Sequence, residues 1–186
     1  MKNTKIRTLL LVHLISLMGF QVFVPVYALF ASDVGASPAQ TSLIWSYYSL
    51  MMAIAIFIMG KLENNYNKEK ILIIGYFLYA AGSYAFLLVH DLWSLIVVLS
   101  FNALVSGLVF PAYKTVFGRS EDKGRESEEW AWLDSSTMLA GAIGAGLGGV
   151  MIGFFGFNGL FLAMGTIQLI AALIAWRYLP RINADK

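Results

Sequence analysis

The chain of 186 residues has no cysteine, and charged residues make up only 13% of it. Without cysteine there are no disulfides, thiolate metal sites or cysteine nucleophiles. Only two histidines occur, His13 and His90, and two ligands far apart in sequence do not by themselves make a zinc site. The net charge is only +2, so we expect no nucleic-acid partner. Apolar residues account for 59% of the chain, against about 45–50% in soluble domains, which indicates a membrane protein.

The apolar residues are concentrated in six stretches, each long enough to cross about 30 Å of hydrocarbon as a helix. None of the six contains Lys, Arg, Asp or Glu. They cover approximately residues 8–31, 41–60, 71–89, 92–112, 135–155 and 157–176. Backbone groups in lipid must find their hydrogen bonds within the segment, so we expect helices. The sequence thus predicts an all-α membrane protein, with a single six-helix transmembrane domain over residues 1–186.

The basic residues are distributed very unevenly around these stretches. With the N-terminus placed in the cytoplasm, all 13 lysines and arginines fall on the cytoplasmic side, and the outer turns carry only Asp33 and Asp91. The positive-inside rule then predicts a multi-pass protein of the cell (inner) membrane with both termini cytoplasmic. The lipid bilayer is its first partner. Three spans in each half also allow two inverted three-helix repeats, an expectation from topology alone.

The polar stretch GKLENNYNKEK, residues 60–70, lies between the second and third of these spans. It resembles the signature that the major facilitator superfamily carries at this place, approximately Gly-x-Leu-Ala-Asp-Arg-x-Gly-Arg-Arg-Arg. The matching residues are Gly60, Leu62, Lys68 and Lys70. The chain departs from the signature at Asn64, Asn65 and Asn67, where the family has an aspartate, a basic residue and a glycine.

A second stretch, GAGLGG at residues 144–149, looks like the family's Gly-Pro-x-x-Gly-Gly with Ala145 in place of the proline. The resemblance extends over essentially the whole chain, and it corresponds to one six-helix half of a twelve-helix transporter, most like the N-terminal half. The glycines also have a plainer use, because small residues spaced along one helix face allow close helix contact. We therefore treat Gly144, Gly148 and Gly149 as helix-packing glycines.

In this family the first, second, fourth and fifth helices of each half tend to line a central cavity, and the resemblance implies the same here. The candidates for the substrate cavity are Gln21, Pro25, Tyr47, Asn102 and Ser106. By residue count Gln21 and Asn102 lie near the membrane midplane, where they either face each other in the cavity or act as structural hydrogen-bonding groups. Tyr47 is alternatively an interfacial anchor, and Pro25 a simple bend in the first helix.

Three ionisable residues are candidates for a proton or charge relay. His13 lies about two turns into the first span, where it either relays protons or has a structural role. Asp134, at the inner end of the fifth span, could pair with Lys114 at the inner end of the fourth, or simply be favoured by the helix N-terminus. No span core contains a carboxylate. A transporter with this sequence is therefore either uncoupled or uses His13 or Asp134.

Together these features predict alternating-access transport of a small solute by a half-size transporter. Two such halves are needed, so the expected partner is a second copy or a related six-helix chain. The alternatives are a non-transporting membrane interaction module and a truncated piece of a twelve-helix transporter. We expect no enzyme activity, cofactor or metal, because the sequence has no catalytic dyad, phosphate loop or metal-ligand cluster.

The resemblance also implies that residues 60–70 form a conformational switch, in which the family's aspartate locks the two halves in one state. Asn64 keeps the helix-capping chemistry of that aspartate but not its charge, which Glu63 could supply. We predict that Asn64→Asp shifts the balance between inward-open and outward-open states, measured by cysteine labelling. An unchanged accessibility pattern would show that this segment is only a turn.

Overall fold

The computed structural model describes residues 4–62 and 66–179, and every regular element in these two ranges is helical. The α-helices are α1 Thr4–Gln21, α2 Tyr27–Asp33, α3 Pro38–Leu62, α4 Lys68–Ala85, α5 Leu92–Gly118 and α6 Glu126–Tyr178. Short 3-10 turns, Val24–Val26 and Phe86–Leu88, interrupt or extend them. Two predicted switch residues, Glu63 and Asn64, lie outside the described ranges.

Five helical segments in the described part of the chain are long and apolar enough to cross a membrane. They are Lys5–Asp33, Pro38–Leu62, Lys68–Leu88, Leu92–Gly118 and Glu126–Tyr178. The prediction of an all-α protein with several membrane-type helices is therefore confirmed for the described residues. Helix α5 continues past the predicted end at residue 112, and α6 begins before the predicted start at residue 135. A helix need not stop where the apolar stretch stops, since polar residues are tolerated once the helix has left the hydrocarbon.

The last segment, α6, consists of two helices that meet at Gly156. Its 53 residues would measure about 80 Å if straight, more than twice the thickness of the hydrocarbon core. Gly156 has φ 64° and ψ −171°, a backbone conformation that is essentially restricted to glycine. We call the two parts α6a, residues 126–155, and α6b, residues 157–178.

Contacts with α1 show that the chain reverses direction between α6a and α6b. A Cβ on Gly144 would lie 2.7 Å from the Cβ of Gln21, and Gln168 bonds to Ser16. Along a straight helix residues 144 and 168 would be about 36 Å apart, whereas Gln21 and Ser16 are only about 8 Å apart along α1. Both parts of α6 therefore lie beside α1.

Two side-chain clusters form the core at opposite ends of the bundle. One contains Leu9, Leu72 and Phe117, near the end where α1 and α4 begin. The other is aromatic and centres on Phe23 and Phe161, whose ring centroids are 5.7 Å apart. The two clusters hold the helix ends together and leave the middle of the bundle to the cavity described below.

Helices α4 and α5 are capped at their N-termini by short polar residues in the turns. Asp91 accepts a 2.7 Å hydrogen bond from the backbone N–H of Ser94, and the Ser94 hydroxyl accepts one from the N–H of Asp91. Hydrogen bonds from Ser94 hold the pKa of the exposed Asp91 carboxyl below its usual value. Asn67 caps α4 by accepting from the N–H of Lys70 at 2.9 Å.

The glycines of α6a divide into those that touch α1 and those that do not. Any Cβ on Gly148 would collide with the carbonyl oxygen of Val22, and one on Gly144 would lie 3.1 Å from the carbonyl oxygen of Met18. Gly149, by contrast, has open space where a Cβ would be. Gly144 and Gly148 thus permit the close approach of two backbones, and Gly149 has no such role in this structure.

We predict that Gly148→Ala lowers the free energy of unfolding by about 1–3 kcal/mol, because the added methyl group meets backbone that cannot rotate away. Gly149→Ala is the matched control, and it is expected to be neutral or to stabilise by up to about 1 kcal/mol through helix propensity. Both variants can be compared by denaturant unfolding in detergent micelles. Equal effects at the two positions would contradict the packing role assigned to Gly148.

Candidate functional site

A cavity of about 570 Å³ opens between α1, α3, α4, α5 and α6. This volume is within the range of about 300–1,000 Å³ that is usual for small-molecule sites. Aromatic and aliphatic side chains form most of its wall. The polar and ionisable side chains that line it are those of His13, Ser16, Gln21, Tyr48, Ser49, Tyr76, Tyr79, Ser106, Tyr113, Lys114, Asp134, Thr137 and Gln168.

Five of the residues singled out from the sequence line this cavity together. They are Gln21, Ser106, His13, Lys114 and Asp134. These residues come from α1, α5 and α6a, so the helices expected from the family resemblance do contribute to the wall. Their common location brings the predicted cavity residues and the predicted relay residues into one site.

Asn102 does not line the cavity, and its predicted pairing with Gln21 is absent. Its side-chain amide is buried, and it donates to the carbonyl oxygens of Val98 at 2.9 Å and Gly82 at 3.3 Å. Position 82 must be small, because a Cβ there would lie 2.6 Å from the Asn102 Oδ1 atom. Asn102 therefore joins α5 to α4, which is the structural alternative for this residue.

Tyr47 and Pro25 also lie outside the cavity wall. Tyr47 is 41% exposed, and its hydroxyl is 3.0 Å from the Ser100 Oγ atom on the outer face of α5. The next residue, Tyr48, is buried and faces the cavity instead. Pro25 is exposed within the 3-10 turn that separates α1 from α2, while its neighbour Val24 lines the cavity.

The deep wall of the cavity contains polar side chains that are already bonded to the protein. The Ser16 hydroxyl donates to the Gln168 Oε1 atom at 2.7 Å, and the Gln168 Nε2 atom donates to the Ser16 carbonyl oxygen at 2.8 Å. Tyr79 donates to the Ser106 Oγ atom at 3.1 Å, and Ser106 donates to the Asn102 carbonyl oxygen at 2.8 Å. These groups tie α1 to α6b and α4 to α5.

Sequence reasoning missed Gln168 and the tyrosines of α4. It considered only the four helices that usually line the cavity, whereas α4 and α6b contribute here as well. A signal was present for Gln168, because an amide in the middle of a largely apolar span needs a hydrogen-bond partner. No comparable signal marked Tyr76 and Tyr79, since tyrosine is common in membrane helices of any orientation.

Tyr113 and Tyr76 have buried hydroxyls without a hydrogen-bond partner in the described part of the chain. Tyr113 stacks on His13 with ring centroids 4.4 Å apart and planes inclined by 22°. The imidazole therefore has a defined position in the cavity wall, held against an aromatic face. A proton relay through His13 remains a prediction.

Gln21 lies at the C-terminal end of α1, against the small face of α6a. Its Nε2 atom would be 3.5 Å from a Cβ placed on Gly141, an ordinary van der Waals distance, so the carboxamide lies against this helix. Within residues 4–62 and 66–179 the Gln21 side chain makes no hydrogen bond, in contrast to Gln168. Its donor and acceptor atoms are therefore available to a ligand.

Lys114 and Asp134 are exposed at the rim of the cavity. The described residues contain no ion pair between them within 4.0 Å. The Lys114 Nζ atom instead lies 5.9 Å from the ring centroid of Phe110. The predicted pairing is thus not made in this conformation, although both groups face the same space.

The described residues of the predicted switch loop show no shared binding site. A Cβ on Gly60 would lie 3.8 Å from the Cβ of Pro111, an ordinary van der Waals distance, and Leu62 is 56% exposed. Lys68 is buried, with no hydrogen-bond partner for its Nζ atom in the described part of the chain, whereas Lys70 is exposed. The described residues contain no group of three or more His, Asp or Glu that could hold a metal ion.

Replacing each of the two glutamines that line the cavity tests which of them stabilises the fold. We predict that Gln168→Met lowers the free energy of unfolding by about 1–3 kcal/mol, because Ser16 loses its buried partner. Gln21→Met is expected to change it by no more than about 0.5 kcal/mol, since no hydrogen bond is lost. Denaturant titration in detergent measures both. A larger effect at Gln21 would contradict this assignment.

Comparisons with known proteins agree with the fold. The uncharacterized MFS-type transporter MJ1560 of Methanocaldococcus jannaschii is 24% identical over 171 residues, which are 92% of this chain and 44% of that protein. The riboflavin transporter RibZ of Clostridioides difficile is 19% identical over 156 residues, 84% of this chain and 34% of that protein. The crystal structure of the POT family transporter PepTSo superposes with a TM-score of 0.75 at 13% identity, covering 97% of this chain and 38% of that one.

This chain spans less than half the length of the relatives that it matches. Within that span the match is continuous: the profile of the Major Facilitator Superfamily covers residues 9–186. The chain is therefore a member of the Major Facilitator Superfamily.

Proposed function

We propose that this chain moves a small solute across the membrane by alternating access, using the 570 Å³ cavity as the substrate site. The observation that carries the proposal is that free polar groups of α1, α5 and α6a converge on one cavity in a bundle of membrane-type helices. Membership of a transporter family, and relatives that are named as transporters, support it. A non-transporting interaction module would have no need of such a cavity.

The proposed topology has six spans with both termini in the cytoplasm. The reversal at Gly156 supports it, because α6a and α6b then cross the membrane in opposite directions. The arrangement of basic residues supports the orientation. In this topology Lys114, Asp134 and Trp130 mark the cytoplasmic end of the cavity, and Gln21 lies nearer its centre.

Alternating access requires a second six-helix unit, against which this one rocks. We propose that a second copy in the same orientation, or a related six-helix chain, supplies it. Two parallel copies related by an axis along the membrane normal form a closed C2 dimer. The relatives, which are more than twice as long, would accommodate both units in one chain.

The cavity favours uncharged or amphipathic solutes over bare ions. Among the described residues that line it, only Lys114 and Asp134 carry a formal charge. Both are exposed at the rim, while the deeper wall has amides, hydroxyls and aromatic rings. Moving an ion past such a wall would require stripping its hydration without replacing it. If transport is coupled to protons, His13 and Asp134 are the groups available for it in the cavity.

The absence of native cysteine makes single-cysteine labelling a direct test. We predict that a cysteine at the cavity residue Thr137 reacts with a membrane-impermeant maleimide both in intact cells and in inside-out vesicles. The matched controls are Asp33→Cys, expected to react only in intact cells, and Lys123→Cys, expected to react only in inside-out vesicles. Alternating access predicts this pattern because the cavity faces each side in turn.

Labelling of position 137 from one side only would refute alternating access, and reversal of the two controls would refute the orientation. Chemical cross-linking of the same membranes is expected to capture this chain joined to a second copy or to a six-helix partner. A strictly monomeric chain would refute the two-unit assembly.

A further inference from the structure

We infer that the cavity is selective for planar, uncharged heteroaromatic solutes that present an N–H group next to a carbonyl group on one edge, as lactams and cyclic imides do. The carboxamide of Gln21 is the group that forms hydrogen bonds with this edge. The inference rests on the proposed function, since it names the class of solute for the same cavity.

The first observation is that Gln21 has an unused donor and an unused acceptor side by side. Among the described residues no group hydrogen-bonds to its side chain, which is only partly buried at the cavity wall. A carboxamide can donate one hydrogen bond and accept another in the same plane. A ring edge with adjacent C=O and N–H groups satisfies both at once.

The second observation is that the other amide of the cavity and several of its hydroxyl groups already have partners. Gln168 is bonded to Ser16, and Tyr79 is bonded to Ser106. A ligand that replaced these contacts would gain one hydrogen bond by breaking another. Gln21 is therefore the amide of the cavity at which a new hydrogen bond carries no such loss.

The third observation is that the glycine face of α6a sets the position of this amide. A Cβ on Gly144 would lie 2.7 Å from the Cβ of Gln21, so this close contact fixes where the side chain leaves α1. The Nε2 atom would lie 3.5 Å from a Cβ on Gly141, an ordinary van der Waals distance, so the carboxamide lies against α6a. A positioned amide can discriminate between ligands, whereas a freely rotating one would adapt to any of them.

The fourth observation is the aromatic surface beside Gln21. Phe20 and Tyr48 have ring centroids 6.4 Å apart with planes inclined by 26°. The ring centroids of Trp45 and Tyr48 are 5.3 Å apart, with planes inclined by 40°. All three rings line the cavity. Flat aromatic faces favour flat ligands, because stacking contacts require extended planar overlap.

Charge completes the description of the solute. The formally charged residues Lys114 and Asp134 are at the rim and exposed, so the part of a ligand that reaches Gln21 meets no fixed charge. A charged ring there would lose its hydration without compensation. The ring system is therefore uncharged, and any ionic substituent is confined to the side that faces the rim.

Lumiflavin and 3-methyllumiflavin form a suitable probe pair. Both are planar, uncharged and fluorescent, and they differ only in whether the ring nitrogen between the two carbonyl groups carries hydrogen or methyl. Purified protein in detergent is titrated into each flavin, and quenching of the flavin fluorescence reports binding. We expect lumiflavin to bind about 10-fold or more tightly than its methylated analogue, since sites that bond a polar hydrogen reject analogues lacking it.

The Gln21→Met variant is expected to bind the two flavins within about 2-fold of each other, because the thioether sulfur is only a weak acceptor for the ring N–H. Gln40→Met, the same exchange at an exposed residue outside the cavity, is expected to keep the full discrimination. Gel filtration and unfolding curves confirm that both variants are folded. The ratio of the two flavin affinities in the wild-type protein tests the inference even if a variant does not fold.

Three results would overturn the inference: equal affinity of the wild-type protein for both flavins, no binding of either, or discrimination that survives in Gln21→Met. The outcome of the maleimide labelling experiment does not depend on the outcome of the flavin binding experiment. Flavin discrimination without two-sided labelling would refute transport and leave the ligand class standing. Two-sided labelling without discrimination would leave transport standing and refute the ligand class.

Discussion

The close approach of α1 to α6a is the constraint on which the remaining architecture depends. Gly144 and Gly148 let the backbone of α1 come near enough that the carbonyl oxygens of Met18 and Val22 lie against α6a. In lipid there is little hydrophobic force to draw helices together, so contact of this kind has to come from shape and local polarity. Once α1 and α6a are joined, the turn at Gly156 returns α6b to the other side of α1.

The cavity follows from that arrangement. Helix α1 is held on both sides by α6, through the glycines of α6a and through the Ser16–Gln168 hydrogen bonds to α6b. Helix α1 therefore cannot rotate about its axis, so each of its polar side chains faces either a bonding partner or the cavity. Gln168 closes one side of the cavity, and Gln21 remains open on the other. Two residues of the same type thus acquire opposite roles from their positions around one helix.

The sequence predicts the fold well because hydrophobicity and charge act over whole segments. About twenty apolar residues force a helix, and the family signature then limits how the helices are arranged. The individual cavity residues are harder to predict, because depth in the membrane does not fix rotation about the helix axis. Tyr47 and Tyr48 differ by one residue, or about 100° of rotation, yet only Tyr48 reaches the cavity. The same uncertainty separates Gln21 from Asn102, which have similar predicted depths and different neighbours.

The polar groups of the membrane interior can therefore be sorted by whether the protein itself satisfies them. Asn102 bonds to backbone of its own helix and of α4, so it holds the bundle together whatever solute is present. Gln21 has no such bond among the described residues, and its partly buried side chain lines the cavity. An unpaired amide that faces a cavity can bond to a molecule that enters it, whereas a paired amide would first have to break a bond within the bundle. The proposed ligand class rests on this difference, and the aromatic rings that line the same cavity limit the shape of such a molecule.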